Sequence, residues 1–191
     1  MYPMQLPLII RPVAGLNEEM FFDLCQANAQ LLMERDKDGN IIVMAPTGSD
    51  TGNYNFEFGL ELGLWNRKTG AGFVFDSSSG FTLPDGAVRS PDLSWISKSK
   101  WEALPEIERR RFAKICPDLV VEIMSMSDDL DDLQDKMKEY QANGCSLGWL
   151  IDRIGKKVYI YRKDGSVESK TMPARLSGED LLPGLIMGTN L

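Results

Sequence analysis

Apolar side chains at Met20, Phe21, Leu24, Ala27 and Leu31 recur close to helical spacing behind an acidic start, which predicts an amphipathic helix over Asn17 to Met33. Its end overlaps a second pattern. Leu32-Met33-Glu34-Arg35 and Ile41-Ile42-Val43-Met44 flank an Asp-Gly turn, the signature of a hairpin. Pro46, Gly48 and Gly52 then break the chain ahead of a helix from about Asn53 to Asn66, stopped by Gly70 and Gly72. This helix is apolar on two sides, through Phe56, Leu60 and Leu64 on one and Phe58, Leu62 and Trp65 on the other. Short strands are expected at Phe73 to Phe75, Gly80 to Leu83 and Asp92 to Ile96, parted by the turn residues Pro84-Asp85-Gly86.

From Lys98 to Lys114 the chain is charged and helix-prone, with an interruption at Pro105. Leu119-Val120-Val121-Glu122-Ile123-Met124 reads as an apolar strand, and Ser125-Met126-Ser127-Asp128 fits a capping box opening a helix to about Asn143, where Gly144 stops it. Leu147 to Ile151 and Lys157 to Tyr161 follow as strands, and Val167 begins a weaker one. The order predicts an α/β, mixed α+β chain: one central mixed sheet flanked by helices, in a single domain over residues 1–191. No repeat or linker breaks it.

Composition narrows the chemistry. Hydrophobic residues make up 43% and charged residues 26% of 191, ordinary for a globular chain. No window is apolar enough for a membrane span, and MYPMQLPLII has no charged leader region, so the expected place is the cytoplasm. Cys25, Cys116 and Cys145 are odd in number and widely spaced, which suits packed thiols in a reducing compartment. There is no histidine. That excludes Ser-His-Asp and Cys-His mechanisms and imidazole-based zinc sites, leaving carboxylates, lysines, hydroxyls and an oxygen-held cation of the Mg²⁺ type. A net charge of −7 does not favour a polyanionic partner unless the basic residues share a face.

Glu122 interrupts a strand whose two faces are both apolar: Leu119, Val121 and Ile123 on one, Val120 and Met124 beside Glu122 on the other. A carboxylate there must be paired, protonated or bound to a cation, unless its face meets solvent. Asp92 opens another apolar strand after Pro91. Two carboxylates on neighbouring strands can converge on one metal ion, the arrangement that phosphodiester hydrolysis needs.

Val88-Arg89-Ser90-Pro91-Asp92, Pro117-Asp118-Leu119-Val120-Val121-Glu122-Ile123-Met124-Ser125, Lys136-x-x-x-Tyr140 and Gly148-Trp149-Leu150-Ile151-Asp152 together resemble the landmarks of a bacterial family, the Uma-type restriction endonucleases of the PD-(D/E)XK nuclease superfamily. The resemblance implies a restriction-endonuclease-like core with an N-terminal helix and hairpin. It implies Asp92 and Glu122 as ligands of Mg²⁺ or Mn²⁺, and water attack on a nucleic acid, DNA being the expected partner. The superfamily's lysine two residues after the Glu is replaced here by Met124; the resembled family carries it at the position of Lys136.

Lys136 falls at the edge of the apolar side formed by Leu130, Leu133, Met137 and Tyr140, so it can reach a site or merely pair with Asp132 one turn away. Glu57 is a candidate third acid, since the superfamily often has one on an early helix; an exposed charged stripe explains it nearly as well. Asp76 and Asp85 read as turn residues, and Asp128, Asp129, Asp131 and Asp132 as complements to a helix dipole. Lys98, Lys100, Arg109, Arg110, Arg111 and Lys114 exceed Glu102, Glu106 and Glu108 by three, forming either a phosphate-facing patch or a solvated face. Two alternatives to a nuclease stand: a non-catalytic binding or oligomerisation module, and a metal-dependent phosphatase-like hydrolase. Cutting both strands takes two sites, so a homodimer is the natural assembly.

Overall fold

A computed structural model of the chain describes residues 7–13 and 15–190. Residues 1–6, which the leader reading used, lie outside that range. Strand β1 (Leu8–Ile10) precedes helix α1 (Glu18–Ala27), the hairpin β2 (Leu32–Arg35) and β3 (Ile41–Met44), and helix α2 (Ser49–Thr69). Strands β4 (Gly72–Asp76), β5 (Phe81–Thr82), β6 (Val88–Arg89) and β7 (Leu93–Ser97) follow, then the short helices α3 (Lys98–Glu102) and α4 (Glu106–Arg109). Strands β8 (Ala113–Lys114) and β9 (Leu119–Ile123) lead to helix α5 (Leu130–Ala142). The chain closes with β10 (Leu147–Asp152), β11 (Lys157–Arg162), β12 (Val167–Thr171), β13 (Arg175–Ser177) and β14 (Ile186–Gly188).

The expected mixed sheet flanked by helices is present, and a second sheet stands beside it. One six-stranded sheet runs β12-β11-β10-β9-β7-β4, a second runs β1-β3-β2-β6-β5-β8, and β13 pairs with β14. The hairpin and the short strands at Phe81 and Val88 thus build a layer of their own. In the first sheet β9 and β10 are parallel, connected through α5, while β7 lies antiparallel to β9. Every residue of β9 and of β10 is buried, as a strand covered on both faces must be. On one face Leu119, Val121 and Ile123 meet Tyr54, Phe58 and Leu62 of α2; on the other Val120 meets Met137 and Tyr140 of α5. Gly148 of β10 allows this second contact, since a Cβ there would overlap the Met137 methyl.

Several boundaries move for local reasons. Helix α1 ends at Ala27, not Met33, because Asn28 bonds back to the Leu24 carbonyl and Leu32–Arg35 is taken by the sheet. Helix α2 is longer than expected, running until Gly70 adopts a left-handed conformation at φ 63°. Helix α5 begins at Leu130 with Asp129 as its N-cap; Asp128 instead accepts from the Ser125 N–H, so the predicted box is spent on a turn. The C-terminal pair β13 and β14 carries no strong periodicity, yet Leu176, Leu182, Leu185 and Met187 complete the core beneath α2. Among the described residues no helix is long and apolar enough to cross a membrane.

Candidate active site

The register pairing Leu93 with Val121 places Asp92, one step further, opposite Glu122. Asp92 is tied on both oxygens: Oδ2 accepts from the Ile123 N–H at 2.7 Å and Oδ1 from the Asn55 side chain at 3.2 Å. Glu122 is 4% exposed and projects to the α5 side. Its Oε1 accepts from the Tyr140 hydroxyl at 3.0 Å and lies 2.9 Å from the Lys136 ammonium. Lys136 and Tyr140 are one turn apart on α5, which brings both to one carboxylate.

Lys136 therefore turns inward and makes no pair with Asp132. Its Nζ also lies 2.9 Å from Glu34 of β2, so the ammonium bridges two buried acids. Glu34 is 2% exposed; it further accepts from the Ser90 N–H at 2.9 Å and the Arg89 guanidinium at 3.0 Å. Arg89 in turn forms a two-point contact with Glu139 of α5. The network joins the two sheets through α5.

Burial drives the Glu122 carboxyl up to about 7, with Lys136 opposing and the nearby Asp92 and Glu34 adding to the rise. Burial also raises Asp92, against the Ile123 N–H and Lys136. For Glu34 burial is outweighed by Lys136, Arg89 and the Ser90 N–H, and its carboxyl stays below the usual range. For Lys136 burial is likewise outweighed, here by Glu122 and Glu34, which hold it charged. Asp92, Glu122, Glu34 and Glu139 gather around the two cations Lys136 and Arg89, and Asp128 adds a further negative charge near Asp92.

Among the described residues no three His, Cys, Asp or Glu side chains form a ready metal cage. The pair Asp92 and Glu122 still suits a hard divalent cation. Both are oxygen donors, burial raises both carboxyls, and Glu122 Oε2 takes none of the described hydrogen bonds. A Mg²⁺-type ion commonly takes one or two carboxylates and fills its remaining positions with water.

Glu57 is not brought to this cluster. Asn55 reaches Asp92, and two residues further along the helix, about 200° around it, Glu57 points elsewhere. Of the six basic residues from Lys98 to Lys114, all but Arg109 have an acidic partner among the described residues. Lys98 pairs with Glu102, Lys100 with Asp118, Arg110 with Glu106, Arg111 with Glu19 and Lys114 with Glu18. Glu34, Arg89, Glu139 and Asn55 were not singled out from the sequence. Glu34 carries no such signal as Glu122 does, because it ends an apolar run and opens the charged segment Glu34-Arg35-Asp36-Lys37-Asp38.

The family model described as "Uma2: Putative restriction endonuclease" matches residues 18–190. A crystal structure of "a putative nuclease belonging to DUF820" from Anabaena variabilis ATCC 29413 is similar, with a TM-score of 0.68 and 21% identity over 82% of this chain and 87% of that one. At that identity the likeness carries the fold alone. No functionally curated protein matches the chain.

Proposed function

The chain belongs to the Uma2 family, and on that premise we propose that it is a metal-dependent endonuclease hydrolysing phosphodiester bonds in nucleic acid, DNA first. The observation that carries this reading is the pair Asp92 and Glu122 at facing strand positions, with the Lys136 ammonium 2.9 Å from Glu122. Asp92 and Glu122 would hold Mg²⁺ or Mn²⁺; bound there, the ion supplies Lewis-acid activation of water and neutralises charge on the phosphate. The Ile123 N–H and Asn55 fix the Asp92 carboxylate in place. Lys136 stays charged between Glu122 and Glu34, a cation positioned to stabilise charge that develops on phosphate oxygens. Arg89, Glu139 and Ser90 orient Glu34 and so hold the lysine from behind. The reading includes a single domain, a cytoplasmic location and a homodimer.

The test is nicking of supercoiled plasmid and of single-stranded DNA and RNA in Mg²⁺ or Mn²⁺, with Glu122→Gln as the inactive control. Cleavage by the wild type alone supports the proposal. A wild type that leaves every substrate intact in both metals contradicts it and favours the non-catalytic module.

A further inference from the structure

Helix α2 is apolar on two sides, and the fold covers only one of them. Phe58 and Leu62 are fully buried, whereas Phe56 is 65%, Leu60 43% and Leu64 54% exposed. The three lie at successive fourth positions, so they form one continuous row along a 21-residue helix. A single exposed leucine is ordinary, but a row of large apolar side chains marks a contact surface. Gly63, beside the row, has nothing within 4 Å of where a Cβ would stand, which leaves room for another backbone. Glu57 flanks the row on one side, and Arg67 continues it toward the C-terminal end. Neither takes part in the ion pairs found among the described residues. They sit about 15 Å apart along one rigid helix and cannot meet each other within a chain.

We propose that this face joins two copies of the chain, their α2 helices packed antiparallel about a two-fold axis through Leu60. In that register Leu60 meets Leu60, and Phe56 meets Leu64 twice. Arg67 of each copy comes within one turn of Glu57 of the other, so both unpaired charges find opposite partners. One sequence supplies both halves of this complementarity, as a two-fold contact requires. The face leaves the carboxylate cluster open, since Asn55, which reaches Asp92, lies about 140° around the helix from Leu60. The inference deepens the assembly part of the function proposed above and does not depend on its catalytic part.

Sedimentation equilibrium of the full chain tests it without reading cleavage. The wild type is expected at twice the monomer mass in the micromolar range. Leu60→Glu places two like charges on the axis and should raise the dissociation constant roughly 30-fold or more, while circular dichroism and the thermal midpoint of the monomer stay unchanged because position 60 is exposed. Glu57→Arg should weaken the dimer by about tenfold, and adding Arg67→Glu should restore it. A monomeric wild type, a dimer indifferent to Leu60→Glu, or a charge-reversed double variant that stays weak would each overturn the proposal.

Discussion

The two faces of the sheet around β9 are built from alternating residues of the same five-residue strand, yet they follow different physics. Toward α2, Leu119, Val121 and Ile123 meet Tyr54, Phe58, Leu62 and Trp149 in a layer without charged side chains. Toward α5, Val120 shares its face with Glu122, and the layer above holds Lys136, Tyr140 and, through Arg89, Glu139. The first face contributes stability at roughly 25 cal/mol per Å² of apolar surface buried. The second contributes little net stability, because desolvating ions offsets much of their attraction. Its pairs fix the positions of the Asp92 and Glu122 carboxylates. Substitutions on the two faces should therefore separate cleanly in what they change.

The largest separation is in activity. Asp92→Asn should lower plasmid nicking by on the order of 10³-fold or more while leaving the thermal midpoint close to wild type. Phe58→Leu, on the opposite face, should cost about 1 kcal/mol in urea denaturation and leave nicking intact. Equal loss of nicking in both would erase the distinction between the faces.

Next comes the lysine. A boundary lysine of the kind the helix pattern suggests could be removed with little effect on the fold. The observed Lys136 side chain is 13% exposed and bridges two acids that are themselves buried. Lys136→Ala should therefore cost about 3–5 kcal/mol by leaving the buried Glu122 without a cation and Glu34 with Arg89 alone. Adding Glu34→Gln should recover part of that loss, and a denaturation cycle over the two sites would show the coupling.

A smaller effect is written in pH. The Glu122 carboxyl lies at about 7 in the folded chain against an ordinary 4.5, so the folded state binds its proton more tightly than the unfolded one. Stability from this group is present in full below about 4.5 and is lost as pH rises through about 7. Relative to Glu122→Gln, the metal-free wild type should lose on the order of 2–3 kcal/mol between those limits. Paired denaturation curves at the two ends measure this, and parallel curves would rule it out. Smallest of all, Glu57→Gln should leave single-strand nicking within twofold of wild type, as expected of an acid outside the network.

How much of this was readable along the chain differs by residue. Glu122 and Asp92 stood out because each breaks or opens an apolar run, and a buried charge demands an explanation from sequence alone. Lys136 was found at the edge of a helical stripe, but its depth was hidden, since depth depends on Glu34 arriving from another sheet 102 residues away in the chain. Arg89 and Glu139 share that history: their partners are 50 residues apart, beyond any periodic signal. A helix with two apolar sides does not say which side faces the core, so the sequence alone does not show that Asn55, and not Glu57, reaches Asp92. The second sheet was missed for a related reason. Its strands β5, β6 and β8 are two residues long, too short for alternation to show.

On the proposed function, Asp92 and Glu122 together bind one divalent cation. Isothermal titration of Mn²⁺ into the metal-free protein near pH 7, repeated in buffers of different ionisation enthalpy, tests it directly. One ion should bind per chain with release of protons as Glu122 ionises, and that binding should be lost in both Asp92→Asn and Glu122→Gln. Binding that survives both substitutions, or a wild type that takes up no ion, would contradict it.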